Sequence, residues 1–298
     1  MSGHAVEELA NRFIDILEKG IPGRDTLAGE AMFVEMLQIA LWGNATDLSL
    51  LSKLSTSDIQ KLQGAAAILS NRDKIVADDT VRVWNMLSSD QAGRVDIVLD
   101  NSGFEFFTDL VLAAYLLESK LATTIHFHVK DFPWFVSDVT APDVGIVMSD
   151  LENASIFTDR TGLDPLCKVL KQYFDDGKFK IIGHWFWTTP VSFQEMPGLA
   201  PDLFETLQKS RLVIFKGDLN YRKLLADKTW RYTTPFQDAL GTIGHDSGLS
   251  ILALRTNKAD VCVGLTSDEQ VQKLDSVAPG SAWVKNGKYA VISYSPGN

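Results

Sequence analysis

Apolar and polar positions change rhythm at Arg94. Before it, apolar residues recur at helical spacing. Val6, Leu9, Ala10, Phe13 and Leu17 share one face, and Gly20-Ile21-Pro22-Gly23 stops that helix. Residues 31–42 are apolar almost throughout and predict a helix buried on all sides, ended by Gly43-Asn44. Ser57-Asp58-Ile59-Gln60 has the spacing of a capping box at a further helix start, and residues 76–87 predict another helix. No strand is predicted in this part of the chain.

After Arg94, short apolar runs alternate with helical pattern. Residues 95–99, 124–129, 179–186, 212–216 and 249–254 read as strands, most of them without polar alternation, as buried parallel strands do. Between them, helices are predicted from Ser102-Gly103-Phe104-Glu105 to about Ser119, and over 163–174, 201–210, 221–228 and 235–240, with a last one over 267–275. Asn286-Gly287 between two apolar runs predicts a hairpin and an antiparallel pair at one sheet edge. The expected fold is an α/β protein. A Rossmann-like α/β/α sandwich with a mostly parallel sheet occupies residues 93–298, and a helical layer precedes it over 1–92.

Four of the runs end in polar clusters, and in open α/β sheets ligands bind at the carboxyl ends of the strands. Asp100-Asn101 follows the first strand, and adjacent carboxylate and amide oxygens suit a hard divalent cation as well as a plain turn. Glu105 either completes a capping box with Ser102 or faces the crevice. Asp138 follows an aromatic loop, Phe132 to Phe135, and fits either a ligating loop or a helix cap. In Lys216-Gly217-Asp218-Leu219-Asn220-Tyr221-Arg222-Lys223, glycine permits a sharp exit and Asn220 caps a helix whose first amides form a phosphate cradle. Arg222 adds a possible bidentate contact, and Arg255 and Lys258 place cations that can hold an anion.

Composition bears on what this crevice can take. The formal charge of −10 argues against nucleic acid, and it obliges an anionic substrate to find local positive charge. At contact, such a charge pair is worth about 4 kcal/mol at an effective dielectric of ~20. No apolar stretch is long enough for a membrane span, the N-terminus lacks signal-peptide character, and Cys167 and Cys262 give no disulfide framework. A cytoplasmic setting is the expectation. The five histidines show no metalloprotease spacing, and His126 and His128 read as buried structural residues. Neither a Walker A loop, nor GxGxxG, nor a G-x-S-x-G elbow is present, and Asp96 and Asp100 lack Asp-x-Asp spacing.

Taken in order, Val95 to Glu105, Trp134 to Asp138, Phe215 to Leu224 and Arg255-Thr256-Asn257-Lys258 closely resemble the damage-control phosphatase family, in the subgroup marked by Arg-Thr-x-Lys. The resemblance covers residues 30–298. It implies a divalent metal on Asp100, Asn101 and Asp138, and substrate contacts from Glu105, from Asp218, Leu219, Asn220, Tyr221 and Arg222, and from Lys258. It implies a phosphatase of small sugar phosphates such as fructose 1-phosphate, with manganese, cobalt or nickel serving better than magnesium. Asp138 and Asp218 both remain open as the acceptor of the water's proton. Relatives carry a longer helical region before the first motif, so the helical layer here is expected to be shortened. The rival reading is an S-adenosylmethionine-dependent methyltransferase acting on protein glutamates, which needs no hard-metal site.

Overall fold

The computed structural model describes residues 3–43, 73–89 and 92–298. Helices α1 (Gly3–Lys19) and α2 (Leu27–Trp42) open the chain. Then β1 (Ile75–Asp78), α3 (Thr80–Ser89), β2 (Gly93–Val98), α4 (Phe104–Glu118) and β3 (Ala122–Val129) follow. After them come α5 (Ala141–Glu152), α6 (Leu163–Asp175), β4 (Phe179–Gly183), α7 (Pro201–Leu207) and β5 (Leu212–Lys216). The last longer elements are α8 (Gly217–Leu224), β6 (Ile251–Thr256), α9 (Asp268–Val277) and β7 (Ala290–Ser295).

The seven strands form one sheet in the order β1-β7-β6-β5-β2-β3-β4. All neighbours are parallel except β6 and β7, so the expected mostly parallel α/β sheet is what the chain forms. Alternation along the buried strands feeds two cores. Leu212 and Ile214 face the layer built from α1, α2, α4 and α6, while Val213 and Phe215 face the layer containing Phe186, Phe193 and Trp283. The N-terminal helices thus share a core with the sheet. Helix α2 earns its all-round apolar sequence by lying between α4 and β6.

Three sequence expectations change. Residues 76–87 divide into a strand and a helix, because Asp79 separates Ile75–Asp78 from Thr80–Ser89; the Asp78 side chain accepts from the Thr80 amide at 3.0 Å. An edge strand of four residues gives too short a period to be heard against the helix after it. An antiparallel pair exists, but β7 pairs with β6 rather than through an Asn-Gly hairpin, and β1 lies outside it, so the pair is one strand in from the edge. Residues 282–284 form a single 3₁₀ turn, and Gly287 turns the chain at φ +72°. The run 179–186 stops as strand at Gly183, and Trp185 to Thr188 form a 3₁₀ turn. The capping box at Ser57 lies outside the described residues.

Phe127 sits where β3 meets both α4 and β4, fully buried and edge-on to Phe106 at 5.9 Å and Phe179 at 5.1 Å. Phe127→Ala is expected to lower the unfolding free energy by about 3–5 kcal/mol, read as a reduced urea midpoint with unchanged slope.

Candidate active site

Strands β2 and β5 are neighbours, and the chain goes on from β2 to β3 and from β5 to β6, toward opposite edges of the sheet. The crevice past the ends of β2 and β5 is therefore a topological switch point. Asp100 and Asn101 leave β2 there, and Gly217 leaves β5 beside them. Gly217 has φ +84°, and a methyl group on it would overlap the Asp100 carboxylate. Only glycine meets both demands at once.

A short antiparallel bridge joins Asn101 to Asp138, with the Val139 amide donating to the Asp100 carbonyl at 2.9 Å. Asp100, Asn101 and Asp138 are thus brought to one place. The Asn101 amide donates to Asp100 Oδ2 and to Glu105 Oε2, each at 2.8 Å, and its oxygen accepts from Ser137 Oγ at 2.6 Å. Glu105 makes no capping box. Gly103 is the N-cap of α4 without any side-chain bond, and the Glu105 carboxylate turns into the acidic cluster instead. Burial pushes the Asp100 carboxyl up to about 8, helped by the nearby charges of Glu105 and Asp138.

Lysines border the acids. Lys130 donates to Asp138 Oδ1 at 2.8 Å, and the Phe135 amide donates to Asp138 Oδ2 at 2.6 Å. Lys216, itself buried, donates to Asp109 Oδ1 at 2.6 Å and to the Ala40 carbonyl at 2.7 Å, and lies 3.4 Å from Glu105. The loop leading to Asp138 stacks Phe132, Trp134 and Phe135, and holds Val136 at φ +66°, a conformation that costs a β-branched residue.

The cluster suits the implied divalent ion in its chemistry. It offers two carboxylates and a carboxamide, all hard oxygen donors, in a buried pocket with excess negative charge. Among the described residues, no three His, Cys, Asp or Glu side chains gather as a metal site, so the set depends on the Asn101 amide oxygen.

The second half of the site has a different division of labour from the expected one. Arg255 is fully buried: its Nε donates to Asp218 Oδ1 at 2.7 Å, and its other donors go to the carbonyls of Ala259 and Val261. It braces Asp218 and stacks over Tyr221 at 4.5 Å, so it does not face the crevice. Tyr221 is equally buried, its hydroxyl accepting from the Val263 amide at 3.2 Å. Asn220 is not the helix cap. It sits in the first turn of α8 and donates to the carbonyls of Leu99 at 3.1 Å and Lys216 at 2.8 Å, tying β2 to β5. Asp218 also accepts from the Lys258 amide at 3.0 Å, which brings the Arg-Thr-x-Lys turn to the start of α8. Arg222 forms a two-pronged pair with Asp227 at 3.0 and 2.7 Å, and with Leu219 it lines a cleft of about 240 Å³ against Trp134 and Trp187.

Lys130, Asp109 and Lys223 were not singled out as site residues from the sequence. A signal existed for the first two. Lys130 directly follows an apolar strand, and Asp109 interrupts the buried, mostly apolar helix α4. Elsewhere, Asp96 lies buried under the sheet. Burial works against its charge, but His128 at 2.7 Å, Ser210 and Arg94 more than offset that, leaving it below the usual carboxylate range. His128 is thus a buried structural residue, as its setting suggested. Cys167 and Cys262 are buried and free.

The Damage-control phosphatase ARMT1-like domain matches residues 1–274 of this chain. The chain belongs to that family. Its relatives include the Damage-control phosphatase ARMT1 of Bos taurus, 41% identical over 286 residues that make up 93% of this chain and 62% of that protein. The Homo sapiens protein of the same name is 40% identical over 270 residues, 88% of this chain and 58% of that one. The Xenopus laevis protein is 39% identical over 291 residues, 95% of this chain and 63% of that one. The chain therefore spans about three fifths of the length of these relatives. A crystal structure of a DUF89 family protein from Pyrococcus horikoshii aligns with a TM-score of 0.43 at 16% identity, covering 92% of this chain and 70% of that one. That likeness is too loose to bear on the site. No helix among the described residues is long and apolar enough to cross a membrane.

Two outcomes follow from this geometry. Gly217→Ala and Gly264→Ala both place alanine at positive φ, +84° and +87°, which costs about 1–2 kcal/mol. A methyl at Gly264 meets only Ala77 Cβ at 3.7 Å, so urea unfolding should show the larger loss in Gly217→Ala, where Asp100 must move. Lys223 supplies a pH signature. Burial, assisted by Lys130, lowers its pKa from 10.5 to about 8, so in that window the unfolded chain binds the proton that the folded one has lost. The burden of the buried charge is present in full below pH 8 and eases as pH rises toward 10.5. The stability difference between wild type and Lys223→Met, measured by denaturation across this range, should shift in favour of wild type with rising pH.

Proposed function

We propose that the protein is a metal-dependent phosphomonoesterase acting on small sugar phosphates, fructose 1-phosphate and related hexose phosphates being the expected class. One observation carries this reading: Asp100, Asn101 and Asp138 converge at the switch point, next to the open first turn of α8 and the Lys258 turn. A divalent ion held by those three residues supplies Lewis-acid activation of water and of a phosphate oxygen. Manganese, cobalt or nickel is the expected ion.

The chain's own residues carry the rest. The amides of Gly217, Asp218 and Leu219 open α8 without a side-chain cap, and their orientation with the helix dipole suits a phosphate. Lys258 and Arg222 neutralise its outer oxygens. Asp218 is the better acceptor for the water's proton. Both Asp138 oxygens are engaged, by Lys130 and the Phe135 amide, whereas Asp218 receives Arg255 and Lys258 on Oδ1 and, among the described residues, no hydrogen bond on Oδ2. Glu105 and Lys216 act on the reaction through Asn101 and Asp100, by fixing where those side chains point. The cleft bordered by Trp134, Leu219 and Arg222 receives the carbon skeleton.

Phosphate release from a panel of sugar phosphates, with and without Mn²⁺, tests this. Metal-dependent release that falls to background in Asp100→Ala is the expected result. Asp218→Asn should lower kcat by about 10²–10⁴ if it is the base, and Lys258→Ala should raise KM and lower kcat together. Absence of release with every divalent metal would remove the phosphatase reading and bring methyl transfer forward.

A further inference from the structure

The cleft that receives the carbon skeleton is rich in donors and poor in acceptors. Its volume is about 240 Å³, with Trp134 and Trp187 as aromatic walls. Its side-chain hydroxyls are turned to main-chain carbonyls: Thr189 Oγ1 donates to Phe186 at 2.8 Å, and Ser192 Oγ donates to Lys223 at 3.0 Å. The Lys223 ammonium donates to the Thr189 carbonyl at 2.7 Å, and Arg222 is a donor only. Asp227 is the one acidic residue lining the cleft among the described residues. Arg222 donates to it through Nε at 3.0 Å and through Nη2 at 2.7 Å, one bond to each carboxylate oxygen.

The backbone that carries this carboxylate is strained. Helix α8 ends at Leu224, and Ala226 and Asp227 then both adopt positive φ, +55° and +51°. One left-handed residue is a common helix ending. Two in succession without glycine are costly, and such strain gathers at functional sites. The ion pair does not offset it, because both side chains reach water and exposed pairs add little to stability. The pair also keeps bonding capacity on both partners, since an ionised carboxylate can accept, and a guanidinium can donate, more than two hydrogen bonds. Arg222 holds the Asp227 carboxyl below the usual carboxylate range, so the acceptor is ionised. A sugar hydroxyl both donates and accepts. Neighbouring hydroxyls therefore match a carboxylate set beside a guanidinium, while Trp134 covers the carbon face of the sugar.

We propose that Asp227 is a specificity-determining residue that accepts hydrogen bonds from hydroxyls on the substrate's carbon skeleton, so that hexose esters are preferred to esters of shorter sugars. Arg222 then works on two sides: one edge of its guanidinium is held by Asp227, and the other faces the ester phosphate. The carboxylate is set one side chain away from that phosphate, where the hydroxyls of a neutral sugar fall. The inference rests on the phosphatase reading for the location of the ester phosphate, and it adds to that reading the group that recognises the sugar.

Fructose 1-phosphate and dihydroxyacetone phosphate serve as the probe pair. They share the phosphate, the ester carbon and the adjoining carbonyl carbon, and the hexose carries three further hydroxyl-bearing carbons. Wild type, Asp227→Gly and Asp227→Asn are compared with Mn²⁺ present. Glycine removes the carboxylate and asparagine keeps one acceptor oxygen, and both residues suit φ +51°, so neither variant strains the turn. Wild type should favour the hexose ester by roughly tenfold or more in kcat/KM, through KM. Asp227→Gly should remove most of that preference by a loss on the hexose ester, and Asp227→Asn should fall between the two. A wild-type ratio near one overturns the inference, and so does a preference that survives undiminished in Asp227→Gly. Equal losses on both esters in Asp227→Gly would assign the carboxylate to orienting Arg222 alone and overturn it as well. If wild type releases phosphate from neither ester, the phosphatase reading has failed separately. Calorimetric binding of the same two esters to wild type and Asp227→Gly then decides the hydroxyl contact by the same ratio.

Discussion

One buried ammonium, that of Lys216, holds the site to the rest of the molecule. It ends β5 at the switch point and reaches Asp109 and Glu105 on α4 and the Ala40 carbonyl on α2. Burial alone would lower its pKa, but Asp109 and Glu105 more than reverse this and keep it above the ordinary lysine value. A charge so deep is tolerated only with its partners in place, and removing one of them would strand the others. The sheet, the long apolar helix and the N-terminal layer are therefore obliged to meet at one geometry. The consequence passes outward, because Glu105 fixes the Asn101 amide, and Asn101 fixes Asp100.

The same logic explains how an acidic protein can handle an anion. Lys130, Lys216, Lys223, Arg222, Arg255 and Lys258 all lie at or just past the ends of β3, β5 and β6. Most of these cations are committed to particular carboxylates, so they shape the site's acids as much as they attract a ligand. Arg255 is the clearest case: a cation at a strand end, it is turned inward and spends its donors on Asp218 and two carbonyls.

Much of this was open to reading from the chain alone. The buried strands announced themselves as apolar runs, because strands covered on both faces need no polar alternation. The polar clusters at their ends, including Asp100, Asp138 and Asp218, were visible for the same reason: a charge directly after such a run has only the crevice to enter. What stayed hidden was short or long-range. Strand β1 has four residues and enters the sheet by pairing with β7, from the far end of the chain. The hairpin signal at Asn286-Gly287 was local and was overridden by pairing with β6, whose whole length β7 matches. The side-chain partners of Asn220 and Tyr221, Leu99 and Val263, were not legible because they lie far off in sequence.

The sequence by itself determined the α/β class, the parallel strands, the crevice and the identity of its chemical groups, since periodicity and strand-end chemistry are local properties. Tertiary structure alone decided which of those groups face the crevice and which brace it. It joined Asn101 to Asp138 across a bridge, pressed Gly217 against Asp100, turned Arg255 inward and set the Lys223 ammonium over the Phe193 and Trp134 rings. The physical reason is that orientation, burial and pairing of a side chain depend on what packs over it, and those partners come from segments that no local window contains.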